Sequence, residues 1–279
     1  MAIESIMRID AGNFASSFRK YFAVMAIHWK EAMHYFMEKV FSSLFVAFAI
    51  LIFYSLYTGI FAMQGQDVVM GFTLNSIVWY FLVCQLVRGS GMAGVVEEIT
   101  EDVQTGNIAY QMCRPYSYVL FIYWKNMGNC VWNLAIKGFA GALMALFLVG
   151  MPSDPVSIFP VIISMLLGTT IYFMMVAMIG LMAFWFEEVR GFLWIYDKFQ
   201  MVLGGLFAPI DIFPAAVKSV VSILPFAYMM YAPGKLFTGF SWSLFGHTIF
   251  GQVVWIAILS IPLALEYRFI SKKLSVAGG

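Results

Sequence analysis

The sequence predicts an all-α membrane protein with six transmembrane helices. Composition, the spacing of charge-free runs and the sidedness of lysine and arginine predict it. Of 279 residues, 62% are hydrophobic and 11% charged, with a mean hydropathy of +0.86. A soluble domain is about a quarter charged. A helix needs about 20 apolar residues to cross about 30 Å of hydrocarbon.

The runs place the spans in order. Val40 to Gln66 is free of charge and supplies the first span, at about 40–62. Val68 to Val87, between Asp67 and Arg88, supplies the second. Residues 126–150 end the third, and Pro155 to Phe186 contains the fourth, with Pro160 as a candidate kink. The fifth runs over about 191–210 and the sixth over about 247–266. Thirteen of the sixteen lysines and arginines then fall on the side of the N-terminus. Lys218 and Lys235 fall opposite, and Lys137 lies in a span. Under the positive-inside rule both termini are cytosolic.

Ahead of the first span, Phe18, Phe22, Met25, Trp29, Met33, Phe36 and Val40 recur at helical intervals. Arg19, Lys20, Lys30, Glu31, Glu38 and Lys39 lie largely off that stripe. This pattern predicts an amphipathic helix in the cytosolic interface plane, with a helix packed on its own protein as the plainer reading. Charges recur through these residues without the apolar core of a cleavable signal peptide.

Several chemistries are missing. Cys84, Cys113 and Cys130 are 29 and 17 residues apart, with no metal-ligand spacing, and are expected as free thiols. His28, His34 and His247 do not cluster. No phosphate-binding loop occurs, since Gly234-Lys235 is followed by Leu236. Zinc-protease and serine-hydrolase signatures are absent too. No catalytic, cofactor-binding or metal site is therefore expected in this chain. Carboxylates are missing from the middle of every predicted span, which speaks against proton coupling. No basic stripe suits nucleic acid.

The polar island EDVQTGNIAYQMCRPYSYVLFIYWK, residues 101–125, interrupts the oil. Its acidic start, Gly106, Pro115, Ser117 and Lys125 resemble the cytosolic loop of type-2 ATP-binding cassette (ABC) exporter permeases. The stretch GGLFAPIDIFPAAVKSVVSILPFAYMMYAPGKLFTG, residues 204–239, is similar to that family's segment after span five. The resemblance covers about residues 20–275. It implies a coupling helix between spans two and three, and re-entrant outer helices between spans five and six. The coupling residues would be Glu97, Glu98, Glu101, Asp102, Gly106, Arg114 and Pro115. The outer gate would be Phe207, Pro209, Phe213, Pro214, Pro225 and Phe226.

It also implies partners: two copies of a cytosolic ABC ATPase carrying the ATP and magnesium, and a second permease, the same or related. The setting would be the cell membrane of a prokaryote. The organisation reads as a cytosolic N-terminus with the interfacial helix (1–39), a six-span permease domain (40–270) and a cytosolic tail (271–279). Within the domain lie the coupling loop (88–125) and the outer re-entrant segment (207–240).

Residue chemistry fits. Acidic side chains near a helix start suit the helix dipole and basic groups on a partner. Gly106 permits a left-handed turn, and Pro115 stops the helix. Pro209, Pro214, Pro225 and Pro233 break helices too often for a span, so the outer segment should cap the route. Lys137 should snorkel towards the headgroups, with a cargo or lipid-phosphate contact as the sharper alternative. Twenty Met and 28 Phe suit a lipid-like or amphipathic cargo, although they are also ordinary span filling. Two other classes compete. One is a membrane-bound lipid-modifying enzyme using Glu187, Glu188 and Arg190; the other is an assembly scaffold that transports nothing.

Overall fold

A computed structural model describes residues 14–69, 71–114, 116–152 and 158–277. Side chains are described from residue 19 to residue 272. Pro115 lies outside the described residues. Among them the chain is helical, and its β pairing is a single Val69–Phe72 bridge.

Helix α1 is Phe14–His34 and α2 is Phe36–Gln64. They are separated at Tyr35, whose φ of −96° and ψ of 23° interrupt the helical ladder. The predicted continuous stripe over 18–40 is therefore split, and Lys39 and Val40 open the next helix. Met25 and Trp29 are partly buried, but Phe22, Met33 and Phe36 are exposed. Helix α1 packs on α6 (Tyr118–Val149). At Gly128 a Cβ would stand 2.8 Å from the Met25 carbonyl, so only glycine lets the two backbones approach this closely. Trp29 and Trp132 meet nearby at 4.9 Å with their rings tilted by 38°, and Trp132 Nε1 donates to the Trp29 carbonyl at 3.0 Å.

Helix α3, Leu74–Arg88, forms the centre. It is apolar all round and mostly buried, as a helix enclosed by others must be. Thr73 and Ser76 exchange hydrogen bonds as a capping box at its start. Asn75 Nδ2 donates to the carbonyls of Val149 and Met151 at 2.7 and 2.9 Å, so α3 starts where α6 ends. The two helices thus run antiparallel.

The short helices α4, Gly94–Gln104, and α5, Asn107–Met112, follow. After α6 comes α7, Ile158–Leu181, continued by a 3₁₀ turn at Met182–Phe184. Pro160 sits in the first turn of α7, where its missing N–H has no intrahelical acceptor to lose. No kink is needed there. Helix α8 is Arg190–Leu203, α9 Ala215–Val221, α10 Ala232–Thr238 and α11 Trp242–Ala277. A π-helical turn at Ala227–Tyr231 precedes α10.

Among the described residues, four helical segments are long and apolar enough to cross a membrane: Phe36–Gln64, Tyr118–Val149, Ile158–Phe184 and Trp242–Lys272. The predicted second and fifth spans are occupied by α3 and α8, of 15 and 14 residues. At 1.5 Å per residue each extends about 21–23 Å, less than the hydrocarbon thickness. The rest of the fifth run, up to residue 210, leaves the helix at Gly204. The last helix reaches past residue 266, so Glu266 lies within it rather than at its end. Asp197 likewise falls inside the predicted fifth span. There Arg88 Nη2 donates to both of its carboxylate oxygens, at 3.0 and 3.2 Å. The expectation that carboxylates are missing from the middle of the spans fails at Asp197, while Glu266 stays at the end of the predicted sixth span.

Candidate functional site: the polar loop and the outer segment

Helix α4 is amphipathic. Val95, Val96 and Ile99 are buried against α7, and Gly180 of α7 makes room for Ile99. At about 100° per residue, Glu98 and Asp102 fall on the flank of that buried face, and Glu97 and Glu101 fall opposite it. Contacts follow this geometry. Glu98 accepts from Lys125 Nζ at 2.7 Å and Asn126 Nδ2 at 3.0 Å, both on α6. Asp102 accepts from the buried Tyr118 hydroxyl at 2.7 Å and from Asn107 Nδ2. Glu97 and Glu101 are exposed.

The turn after α4 is left-handed at Gly106, with φ of 73°, as expected from its position. Arg114 donates to the Tyr116 hydroxyl at 3.0 Å and lies over the Tyr110 ring at 4.9 Å. Tyr21 of α1 accepts from the Ser117 N–H at 3.0 Å. Its hydroxyl pKa is raised by burial, against which the Ser117 hydrogen bond works.

The exposed face of α4 does not stand alone. Glu97, Thr100, Glu101 and Gln104 share a polar cavity of about 440 Å³ with Glu188, Val189 and Arg190. Gln104 Nε2 donates to the Glu187 carbonyl at 2.9 Å, and Glu188 accepts from the Arg190 N–H at 2.9 Å. Two stretches some ninety residues apart in sequence therefore form one surface. Gly106 and Arg114 lie outside this cavity.

The outer segment is organised by Asp211. One carboxylate oxygen accepts from Lys218 Nζ at 2.9 Å; the other accepts from Lys235 Nζ at 2.6 Å and the Tyr231 hydroxyl at 2.8 Å. Burial would raise the Asp211 pKa, but these three donors together hold it below the ordinary carboxylate value. Nothing in the spacing of these residues signalled that one carboxylate gathers both lysines. Of the six predicted gate residues, Pro209 and Pro225 are buried. Phe213 packs on the Ile210–Val221–Ala227 cluster, and Phe226 meets Tyr196 at 5.7 Å. Phe207 and Pro214 are exposed. The Phe207 carbonyl accepts from Tyr57 at 3.0 Å, and the Gly205 carbonyl from Tyr80 at 2.7 Å. These bonds fasten the segment to α2 and α3.

Lys137 donates from Nζ to the Gly89 carbonyl at 2.7 Å, satisfying an acceptor beyond the end of α3. It shares a second polar cavity with Lys39, Asn129 and Asn133. Among the described residues, no group of three or more His, Cys, Asp or Glu side chains is placed to hold a metal ion.

No curated protein and no solved structure matches the chain. The family model described as ABC-2 family transporter protein matches residues 44–278. That range takes in α3 to α11, most of α2 and both polar surfaces, and so the chain belongs to the ABC-2 family of transporter proteins.

Proposed function

We propose that this ABC-2 permease is the membrane subunit of an ATP-driven exporter, moving a lipid-like or amphipathic cargo outward. The observation that carries the reading is the polar surface shared by α4 and Glu188–Arg190. A permease without its own ATPase motifs needs a rigid, solvent-facing element through which another subunit can push. Helix α4 is such an element. Its inner face is fixed by Val95, Val96, Ile99, Glu98 and Asp102, and its outer face is left open.

Two cytosolic ATPase subunits, carrying ATP and magnesium, would dock there on a pair of permeases, the same or related. Glu97 and Glu101 are the residues for contacts with basic groups. Glu98, Asp102, Gly106 and Arg114 hold the element in shape. The six-span reading is supported by the course of the chain. Helix α3 runs from the end of α6 to the Arg88–Asp197 pair, and α8 leads from the α4 surface to Gly205 beside Tyr80. Helix α3 is buried among longer helices, whereas α8 buries Tyr196 and Gln200 and turns most of its apolar side chains outward. Short helices can complete a crossing when neighbours satisfy the backbone around them. The Asp211 cluster and its proline-broken helices would close the route on the outer side. The setting is a prokaryotic cell membrane with both termini cytosolic, an orientation that the lysine and arginine bias supports.

The test is copurification of the tagged permease with any ABC ATPase encoded beside it. The expected result is a stable complex whose ATP hydrolysis exceeds that of the ATPase alone. An ATPase that neither binds nor responds to the permease overturns the reading. It would leave the lipid-modifying enzyme and the scaffold as the alternatives.

A further inference from the structure

Two lysines on different helices meet in one cavity whose one lining carboxylate, the exposed Glu38, forms no ion pair with either. Lys39, on the first turn of α2, is 8% exposed. Its Nζ donates to Asn129 Oδ1, and to Asn133 Oδ1 at 3.3 Å. Asn133 is anchored in turn through Nδ2 to the Ser90 carbonyl at 2.9 Å. Lys137 lines the same cavity, of about 440 Å³, with its Nζ on the Gly89 carbonyl. Among the described residues, no carboxylate oxygen lies within 4.0 Å of either ammonium. Glu38 is at the cavity but exposed. Amide and backbone carbonyls orient the two ammonium groups without cancelling their charge. Burying charge without a counter-ion is costly, so the cavity favours an anion.

Its depth says which kind. Helix α6 has 32 residues, about 48 Å at 1.5 Å per residue. Counting about 20 residues back from Val149 puts the hydrocarbon boundary near Cys130. Asn129 and Asn133 straddle that boundary. The same count back from Gln64 leaves Lys39 outside the hydrocarbon, on the side that carries α1 and α4. Lys137 starts about 10 Å inside that boundary on α6, but its side chain carries Nζ to the Gly89 carbonyl beyond the end of α3 and into the cavity. Donors there, on a face open between Tyr35 and Ser42, meet the phosphates of lipid headgroups.

We propose that Lys39, Lys137 and Asn129, braced by Asn133, form a binding site for a phosphate anion, supplied by the headgroup of an anionic lipid. The site is independent of the ATPase-docking surface and is read on the permease alone.

The full-length permease, purified in detergent, would be incubated with equal amounts of dioleoyl phosphatidylglycerol and dioleoyl phosphatidylcholine. Native mass spectrometry then reads the lipid retained. Two lysines near one phosphate should favour the anionic lipid by roughly tenfold. Lys39→Gln with Lys137→Gln should abolish the preference. Arg268→Gln, an exposed basic residue elsewhere, should keep it. A separate arm adds inorganic phosphate without lipid and follows thermal unfolding. Stabilisation by phosphate that the double variant loses, without any lipid preference, keeps the anion site but assigns it to a soluble phosphate. Equal retention of both lipids by the unsubstituted protein, together with no response to phosphate, overturns the proposal whether or not the double variant folds. So does a preference that survives in the double variant.

Discussion

Tyr118 donates its hydroxyl to Asp102 across 2.7 Å, tying the end of α4 to the start of α6. Asp102 thereby belongs to the frame of the polar loop, and its neighbour Glu101 to the exposed surface. Hydrogen bonds to charged groups contribute about 1.5–3 kcal/mol. Tyr118→Phe and Asp102→Asn should each lower the thermal midpoint of the purified permease, and the double variant should lose less than the two losses added. Additive losses would mean that the two side chains do not act as a pair.

Glu101→Lys should behave differently. Its side chain is exposed and lines the cavity shared with Glu188 and Arg190. We expect an unchanged thermal midpoint, together with weaker retention of the ATPase or lost stimulation of its hydrolysis. The contact is worth about 2–5 kcal/mol if docking buries a charge pair and far less at a rim. Glu188→Lys should show the same signature more mildly. If Glu101→Lys leaves assembly, stimulated hydrolysis and transport at their normal levels, the surface is only a solvated face.

How much of this was legible beforehand depends on range. Gly106 could be read because a left-handed turn is a local demand, and its φ of 73° meets it. The helix breaks around Pro209, Pro214 and Pro225 are local in the same way. The different duties of Glu97/Glu101 and Glu98/Asp102 were also present, in the position of each about the axis relative to Val95, Val96 and Ile99. Their partners were not. Lys125 lies 27 residues from Glu98, and Asn129 lies 90 from Lys39; no periodicity encodes which helices meet. Span lengths misled for a related reason. A charge-free run such as 68–87 bounds a helix without saying where it starts, and Thr73 with Ser76 starts α3 at Leu74.

Gly106 offers a graded test of the turn. Nothing lies within 4 Å of a Cβ added there, so any cost comes from φ alone. Left-handed backbone costs roughly 1–2 kcal/mol for most residues, less for Asn and more for β-branched side chains. Stability should fall in the order Gly, Asn, Ala, Val. Equal stability of Asn and Val variants would show that the turn is not left-handed in the folded protein.

The pair between Arg88 and Asp197 joins α3 to α8, the helices that occupy the predicted second and fifth spans. Both side chains are only partly buried, at 34% and 25% exposure, so the loss on breaking it should fall below the about 3–5 kcal/mol of a fully buried pair. Asp197→Ala should lower the yield of folded protein, and Arg88→Ala should do the same. The charge-exchanged protein, Arg88→Asp with Asp197→Arg, should recover part of the loss. No recovery would assign the single-variant losses to packing.

Sidedness can be read on the native cysteines. Cys113 is exposed just after α5, and Cys84 and Cys130 are buried, so a maleimide should react at one position in the folded chain. On the proposed reading, the bias of lysine and arginine puts that loop on the cytosolic side. A membrane-impermeant maleimide should therefore leave the protein unlabelled in intact cells expressing the permease without its ATPase. It should label after permeabilisation, and Cys113→Ser should remove that signal. Ser241→Cys, exposed between α10 and α11, should label in intact cells. On the six-span reading the two positions lie on opposite sides of the membrane, so one experiment tests both the orientation and the parity of crossings between them. Labelling of Cys113 from outside would put α4 on the wrong side for any cytosolic motor and would sink the coupling role of Glu97 and Glu101 with it.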